Sequence, residues 1–157
     1  MRAKSFIIYL IVFLCLNFGA LYIGMLLSGE GAFSNWYQSA NKAPWTPPGW
    51  VFGAAWTLIM ICFSFFMSTT LLKAINKKQL IGLFSLQWVL NVSWNPTFFY
   101  FHNPTIGLLI ILLLTILVGY MLLIYKTELK LYSLLLIPYF LWLTIASSLN
   151  GYIVIFN

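Results

Sequence analysis

Five long apolar runs constrain this chain more than any other feature of its sequence. They cover about residues 5–27, 50–72, 80–101, 105–125 and 131–156, and none has an Asp, Glu, Lys, Arg or His in its interior. Each is close to the ~20 residues that a helix needs to cross the hydrocarbon core of a bilayer. The sequence therefore predicts an all-α integral membrane protein, a bundle of five transmembrane helices that forms a single domain over residues 1–157.

Composition supports the same class. The chain is 62% hydrophobic and 6% charged, whereas soluble domains have roughly 45–50% apolar and about 25% charged residues. It therefore lacks the polar side chains that would cover a water-facing surface. The first run follows Arg2 and Lys4, as in a signal peptide, but it is too long for one and we expect it to remain as a helix.

Acidic residues are too few for several kinds of chemistry. The chain has two, Glu30 and Glu128, and one histidine, His102. Paired-carboxylate hydrolysis, carboxylate-rich metal sites and an Asp-oriented triad are excluded. Proton pumps and voltage sensors need ionisable groups within the membrane, which the five runs lack. We expect no metal site and no conventional catalytic residues.

Basic residues predict the orientation. Seven lie at the N-terminus or in the second and fourth loops, against Lys42 alone on the other side: Arg2, Lys4, Lys73, Lys77, Lys78, Lys126 and Lys130. Positive residues are retained in the cytoplasm, so we expect the N-terminus inside the cell and the first loop outside. The basic residues flank apolar runs, which indicates contact with a membrane surface rather than nucleic acid. A bacterial inner membrane fits this pattern.

Amides and aromatic rings share one face of the third run. The residues concerned are Gln87, Asn91, Trp94, Asn95 and Phe98. An amide that faces lipid leaves its hydrogen-bonding groups unsatisfied, so this face points inward. The amides either join helices or line a cavity. Pro96, nearby, predicts a kink.

Two further runs carry similar faces. The fifth has Pro138, Trp142, Ala146 and Asn150 at intervals of four, and the second has Phe52, Trp56, Met60 and Phe63 on one side. A single aromatic stripe is more often packing than a binding site. Three helices that each direct tryptophans or amides inward favour a cavity.

Small residues allow close helix contact at two places. Ala20 and Gly24 form one pair, and Thr115 and Gly119 form the other. Pairs of this kind let helix backbones approach. Each pair could seat a helix within the bundle or a second copy of the chain.

The segment between the first two runs is long and rich in tryptophan, proline and glycine. Four of the seven tryptophans lie between residues 36 and 56. Thr46, followed by Pro47 and Pro48, predicts a helix start with a hydroxyl cap. Loops of this length in a compact chain are usually functional. An interfacial aromatic belt is the alternative interpretation, although it does not account for the prolines.

Three blocks of sequence, taken together, are distinctive. They are Trp36-Tyr37 with Lys42-Ala43-Pro44-Trp45-Thr46-Pro47-Pro48, Phe52 and Trp56; Gln87, Leu90, Asn91 and Trp94 with Phe98-Phe99; and Pro138-Tyr139, Trp142, Ala146 and Leu149-Asn150. In this order they resemble the tryptophan-rich sensory protein and translocator protein family, TspO/MBR. The resemblance covers nearly the whole chain.

The resemblance implies a five-helix bundle, commonly a homodimer, with the first loop over a pocket. It implies binding of porphyrins such as protoporphyrin IX, with no required cofactor, and light- and oxygen-dependent porphyrin degradation in some bacterial members. The implied ligand-binding residues are Tyr37, Trp45, Phe52, Trp56, Gln87, Asn91, Trp94, Trp142, Ala146 and Asn150. Trp56 and Trp142 are the candidates for a photochemical role. Residues 149–157 lack the Lys or Arg that ends the animal cholesterol-recognition stretch, so we do not expect high-affinity sterol binding.

The chemistry of these residues fits a metal-free porphyrin. Aromatic side chains favour a flat macrocycle, and Gln87, Asn91 and Tyr37 provide hydrogen-bond donors. A metal-free ring needs no axial ligand, so His102 has no required role. Two alternatives stay open: a transporter of tetrapyrroles or other apolar molecules, and a structural or stress-signalling membrane protein.

Overall fold

The computed structural model describes residues 2–73 and 76–157, and these residues are predominantly helical. Its long helices are α1 (Arg2–Leu27), α3 (Gly49–Lys73), α4 (Lys77–Asn95), α5 (Pro104–Leu129) and α6 (Ile137–Phe156), and a short helix, α2 (Asn35–Ser39), lies in the first loop. Short non-α helical turns cover Gly31–Phe33, Pro96–Tyr100 and Lys130–Leu136. Met1, Ala74 and Ile75, which the single-domain prediction includes, lie outside the described residues. The class predicted from the sequence, an all-helical membrane protein, is confirmed.

Three helical stretches are long and apolar enough to cross a membrane. They are Ala3–Phe33, Gly49–Lys73 and Pro104–Phe156, of 31, 25 and 53 residues. The third stretch contains both α5 and α6. Helix α4 carries Gln87, Asn91 and Asn95, and these amides make it more polar than the other four long helices.

The long helices form a closed ring. Helix α1 packs between α3 and α4, α5 packs against α4 and α6, and α6 returns to α3. The backbone of α4 lies closest to α1 and α5, so α4 meets α3 and α6 mainly through long side chains. The core inside the ring includes the fully buried side chains of Phe63, Met67, Leu80, Met121 and Tyr139.

Both pairs of small residues lie at contacts between helices of the same chain. A Cβ atom on Gly24 would lie 2.6 Å from Nδ2 of Asn95 in α4. A Cβ atom on Gly119 would lie 3.1 Å from Cε2 of Phe140 in α6, and the Thr115 hydroxyl lies 3.4 Å from that of Ser147. Of the two roles left open by the sequence, the structure supports seating within the bundle.

The predicted cap at Thr46 is wrong. The Thr46 hydroxyl donates a hydrogen bond to the Ala43 carbonyl at 2.7 Å, and the Thr46 amide donates to the same oxygen at 2.9 Å. Helix α3 begins at Gly49. A residue before proline is biased away from helical angles, so Thr46 and Pro47 remain outside the helix. Thr46 therefore closes a turn around Pro44 and Trp45.

Two other prolines, Pro96 and Pro138, lie where one type of helix gives way to another. Helix α4 ends at Asn95, and Pro96–Tyr100 continues as a π-helical turn in which the Phe101 amide donates to the Pro96 carbonyl at 2.9 Å. At the predicted kink, the helix therefore changes from α to π geometry at Pro96. Single π turns of this kind are frequent at functional sites. Pro138 lies in the first turn of α6, where its missing N–H costs nothing.

The bundle has two chemically distinct ends. At one end Lys73, the last residue of α3, places its Nζ atom 4.5 Å from the Tyr132 ring centroid, near the start of α6. At the other end Asn41 of the first loop contacts Asn157. Alternating helix directions thus collect the predicted cytoplasmic basic residues at the first end and the first loop at the second.

Candidate functional site

Helix α4 presents two buried amides to the interior of the ring. Gln87 is 1% exposed and Asn91 is 5% exposed, and they lie one helical turn apart on one face. The Gln87 Nε2 atom donates a hydrogen bond to the Tyr139 hydroxyl at 2.7 Å. Gln87 Oε1 and Asn91 Nδ2 have no hydrogen-bond partner among the described residues. On this face of α4 one acceptor and one donor are therefore free, and the buried Tyr125 hydroxyl of α5 is a third atom without a partner among the described residues.

Aromatic rings of α3 and α6 lie edge to face beside these amides. The Trp56 ring centroid is 6.0 Å from that of Tyr139, and the Phe52 centroid is 5.3 Å from that of Trp142. Trp142 is buried, whereas Phe52 and Trp56 are half-buried. We call Trp56, Gln87, Asn91, Tyr139 and Trp142 the amide–indole cluster. It joins α4 to the neighbouring helices α3 and α6, although the backbone of α4 lies closer to α1 and α5.

Nearer the C-terminal end of α6, the same face makes contacts with α4 and α5. Asn150 accepts a hydrogen bond from Trp94 Nε1 at 3.2 Å and donates one to the Pro104 carbonyl at 2.8 Å. Its amide is thus engaged on both sides. Trp94 stacks on Phe98, with centroids 5.0 Å apart, and Ala146 is half-buried against the core. Two predicted ligand-binding residues, Trp94 and Asn150, thus tie α4, α5 and α6 together.

Tyr37 covers the end of the bundle from the first loop. Its ring packs edge-on against Phe99 at 5.3 Å and against Phe98 at 6.1 Å. Lys42 Nζ lies 4.9 Å from the Tyr37 ring centroid. Burial raises the pKa of the Tyr37 hydroxyl, so this group stays protonated and remains a hydrogen-bond donor at neutral pH.

Trp45 contacts a different part of α6. Its Nε1 atom donates to the Ser148 hydroxyl at 3.1 Å, and its ring lies edge-on to Tyr152 at 5.6 Å. The side chain is 55% exposed. Trp45 therefore fixes the loop to the outside of α6 rather than joining the amide–indole cluster.

A reciprocal set of hydrogen bonds also holds the loop. The backbone N–H of Asn41 donates to Asn157 Oδ1 at 2.8 Å, and Asn157 Nδ2 donates to the backbone carbonyl of Asn41 at 3.2 Å. Asn41 Nδ2 donates to the Phe156 carbonyl at 3.1 Å. We call this set the asparagine clamp. It attaches the middle of the first loop to the end of α6.

Two clefts lie under the loop, at the end of the bundle. Their volumes are about 370 and 400 Å³, and both are lined by Trp36 and His102. These two rings stack with centroids 4.7 Å apart. Neither cleft is lined by a member of the amide–indole cluster. The clefts and the cluster are therefore separate features.

Sequence reasoning missed some of the residues that matter. Tyr139 belongs to the third sequence block but is not among the predicted ligand-binding residues, although it accepts the hydrogen bond that holds Gln87. Asn17 of α1, 1% exposed, donates a hydrogen bond from Nδ2 to the Ser64 hydroxyl at 2.9 Å. The signal for Asn17 was present, because an isolated amide in an apolar run must find an internal partner.

The sequence is similar to a known protein family and to several of its members. The family model described as the TspO/MBR family matches residues 10–156. A tryptophan-rich protein TspO of Chlorobaculum tepidum is 34% identical, over 96% of this chain and 95% of its own. The protein CrtK of Rhodobacter capsulatus is 32% identical over 73% and 74% of the two chains. The human translocator protein is 27% identical over 85% and 80%.

Proposed function

Because the chain belongs to the TspO/MBR family, we propose that this multi-pass membrane protein binds porphyrins such as protoporphyrin IX at the amide–indole cluster. One observation carries the proposal. Gln87 Oε1 and Asn91 Nδ2 are buried and unpaired among the described residues. Leaving a buried polar group unsatisfied costs about 1–3 kcal/mol, and a porphyrin carboxylate that accepts a hydrogen bond from Asn91 Nδ2 would remove part of that cost.

The surrounding rings suit a flat apolar molecule. Trp56, Trp142 and Phe52 offer aromatic faces and edges from α3 and α6, and aromatic contacts contribute about 0.5–1.5 kcal/mol beyond the area buried. The first loop, held by the asparagine clamp, would cover the outer end.

The proposed placement in the membrane follows the chemistry of the two ends. All five long helices would cross a bacterial inner membrane, with the lysine-rich end and the N-terminus in the cytoplasm. Helix α4 would cross despite its amides because its polar face is turned into the ring. A homodimer would form through exposed apolar surface, as the small-residue pairs are occupied within the chain.

Turnover of the bound porphyrin would be photochemical. In light and oxygen the excited macrocycle supplies the reactive chemistry, and the protein positions the macrocycle against Trp56 and Trp142. Transport is the second candidate, and the relatives that support it are named translocator proteins. Flux of protoporphyrin IX into sealed liposomes separates binding alone from transport.

Spectral titration tests the binding proposal. Purified protein in lipid nanodiscs is titrated with protoporphyrin IX, and the Soret band and tryptophan fluorescence are followed against empty nanodiscs. We expect saturable binding that weakens in Trp142→Leu but not in Trp50→Leu, because Trp50 is 74% exposed. Absence of saturable binding, or equal weakening in both variants, overturns the proposal.

A further inference from the structure

The two unpaired atoms of α4 differ in kind. Gln87 Oε1 is an acceptor and Asn91 Nδ2 is a donor, and both belong to uncharged amides. Tyr139 accepts a 2.7 Å hydrogen bond from Gln87 Nε2, so Oε1 is the Gln87 atom that lacks a partner among the described residues. A residue and its neighbour four positions on lie about 5–6 Å apart at Cβ. Together the two side chains offer an acceptor beside a donor.

A complementary ligand must present a donor beside an acceptor on one edge. A lactam does so, with its N–H next to its C=O. A carboxylate has only acceptors and would leave Gln87 Oε1 unpaired. In a closed porphyrin the pyrrole N–H groups point to the centre of the ring, so the outer edge lacks such a donor. The lactam end rings of linear tetrapyrroles carry both groups at the edge.

We propose that Gln87 and Asn91 recognise the lactam edge of a flat, uncharged ring, such as the end ring of a linear tetrapyrrole. This proposal rests on the proposed function, since it assigns tetrapyrrole chemistry to the same cluster. The Gln87 oxygen accepts the lactam N–H, and Asn91 Nδ2 donates to the lactam C=O. The indoles of Trp56 and Trp142 contact the ring. Linear tetrapyrroles are thereby preferred over closed ones.

A matched pair of small probes isolates the N–H. The fluorescent 1,8-naphthalimide is flat and has an imide N–H between two carbonyls, and its N-methyl derivative has a methyl group in place of that donor. Loss of one buried hydrogen bond costs about 0.5–1.5 kcal/mol, which corresponds to a factor of about 2–12 in affinity. We expect the wild-type protein in nanodiscs to bind naphthalimide more tightly than its N-methyl form by about that factor. Empty nanodiscs correct for partition into lipid.

Variants locate the effect on α4. In Gln87→Leu the preference for the N–H form should disappear, whereas in Gln79→Leu, an exposed amide at the start of the same helix, it should remain. Equal wild-type affinity for the two probes overturns the proposal without recourse to any variant. Retention of the preference in a folded Gln87→Leu variant also overturns it.

Tetrapyrroles complete the test. The dimethyl esters of biliverdin and of protoporphyrin IX are titrated in parallel, which removes the carboxylate charges from the comparison. Tighter binding of the biliverdin ester, lost in Gln87→Leu, supports the lactam assignment. The inference is overturned if the porphyrin ester binds, the biliverdin ester binds no more tightly, and naphthalimide binds no more tightly than its N-methyl form. That result leaves the proposed function intact. Binding of neither ester overturns both.

Discussion

Gly24 of α1 lies directly against the Asn95 side chain of α4, so that a Cβ atom on Gly24 would come within 2.6 Å of Asn95 Nδ2. This separation is well below any normal contact. The contact lies next to the point where α4 gives way to the π turn at Pro96. A side chain at position 24 would therefore have to displace the Asn95 side chain at the contact between α1 and α4.

Gly24→Ala should destabilise the bundle because the added methyl group would displace the Asn95 side chain from its place against α1. Gly19→Ala is the matched control, since nothing lies within 4 Å of a Cβ atom there. Alanine is favoured over glycine in a helix by about 1 kcal/mol, so the control should unfold at the same temperature or slightly higher. Thermal unfolding in detergent measures both. Equal stability of the two variants would contradict the close packing.

Asn17→Leu should weaken the contact between α1 and α3. The lost bond to Ser64 is worth about 0.6–1.7 kcal/mol in membrane proteins. Ser64 keeps its own bond to the Met60 carbonyl at 2.7 Å, which limits the loss. Unfolding of Asn17→Leu, Ser64→Ala and the double variant gives the coupling energy. Thr57→Ala, an exposed hydroxyl bonded within α3, should be neutral, and strictly additive effects at positions 17 and 64 would exclude the bond.

Asn157→Ala should loosen the first loop by removing two of the three bonds of the asparagine clamp. Hydrogen exchange of residues 35–48 should speed up, while exchange in α3 and α4 stays unchanged. Asn76→Ala is the control, because Asn76 caps α4 at the opposite end of the bundle and should affect exchange only there. Unchanged loop exchange in Asn157→Ala would show that the aromatic contacts of the loop retain it without the clamp.

Ser39→Cys should react from outside the cell with a membrane-impermeant maleimide. Ser39 is exposed in the first loop. Lys78→Cys, exposed at the lysine-rich end, should react only after the cells are opened. Both are made with Cys15 and Cys62 replaced by Ala. The reverse pattern of labelling would invert the proposed orientation.

Trp56→Phe and Trp142→Phe should each slow porphyrin photodegradation several-fold, because phenylalanine keeps an apolar ring but is much harder to oxidise than an indole. Loss of protoporphyrin IX absorbance under constant illumination in air measures the rate. Trp50→Phe, which changes an exposed ring of α3, should act at the wild-type rate. Wild-type rates in both test variants would remove the indoles from the reaction.

Most helix positions could be predicted from the sequence because local chemistry sets the boundaries. The boundary between the fourth and fifth runs was wrong, since α5 continues to Leu129 and α6 begins at Ile137 rather than at about residue 131. The second run, expected at about 50–72, is α3 at Gly49–Lys73, bounded by Pro48 and a lysine. The inward direction of Gln87 and Asn91 was also predictable, since an amide cannot face lipid without cost. Helical periodicity is enough to predict which face of a helix a residue lies on.

Partners across the bundle could not be predicted in the same way. The bond from Gln87 to Tyr139 joins residues 52 positions apart, and its existence depends on how far α4 stands from α6. The use of the Thr46 hydroxyl in a turn depends on the angles that Pro47 imposes on its neighbour. Whether Trp45 faces the interior or the outside of α6 depends on the path of the whole loop. These outcomes are set by tertiary packing, which a periodic pattern does not contain.

The neutrality of Gln87 and Asn91 has an electrical consequence. A membrane potential does work on charge, about 2.3 kcal/mol per elementary charge for each 100 mV, and it does none on a carboxamide. Amides also have no protonation step near neutral pH. Whatever uncharged ring these two side chains hold is therefore retained equally well in an energised cell and in a depolarised one.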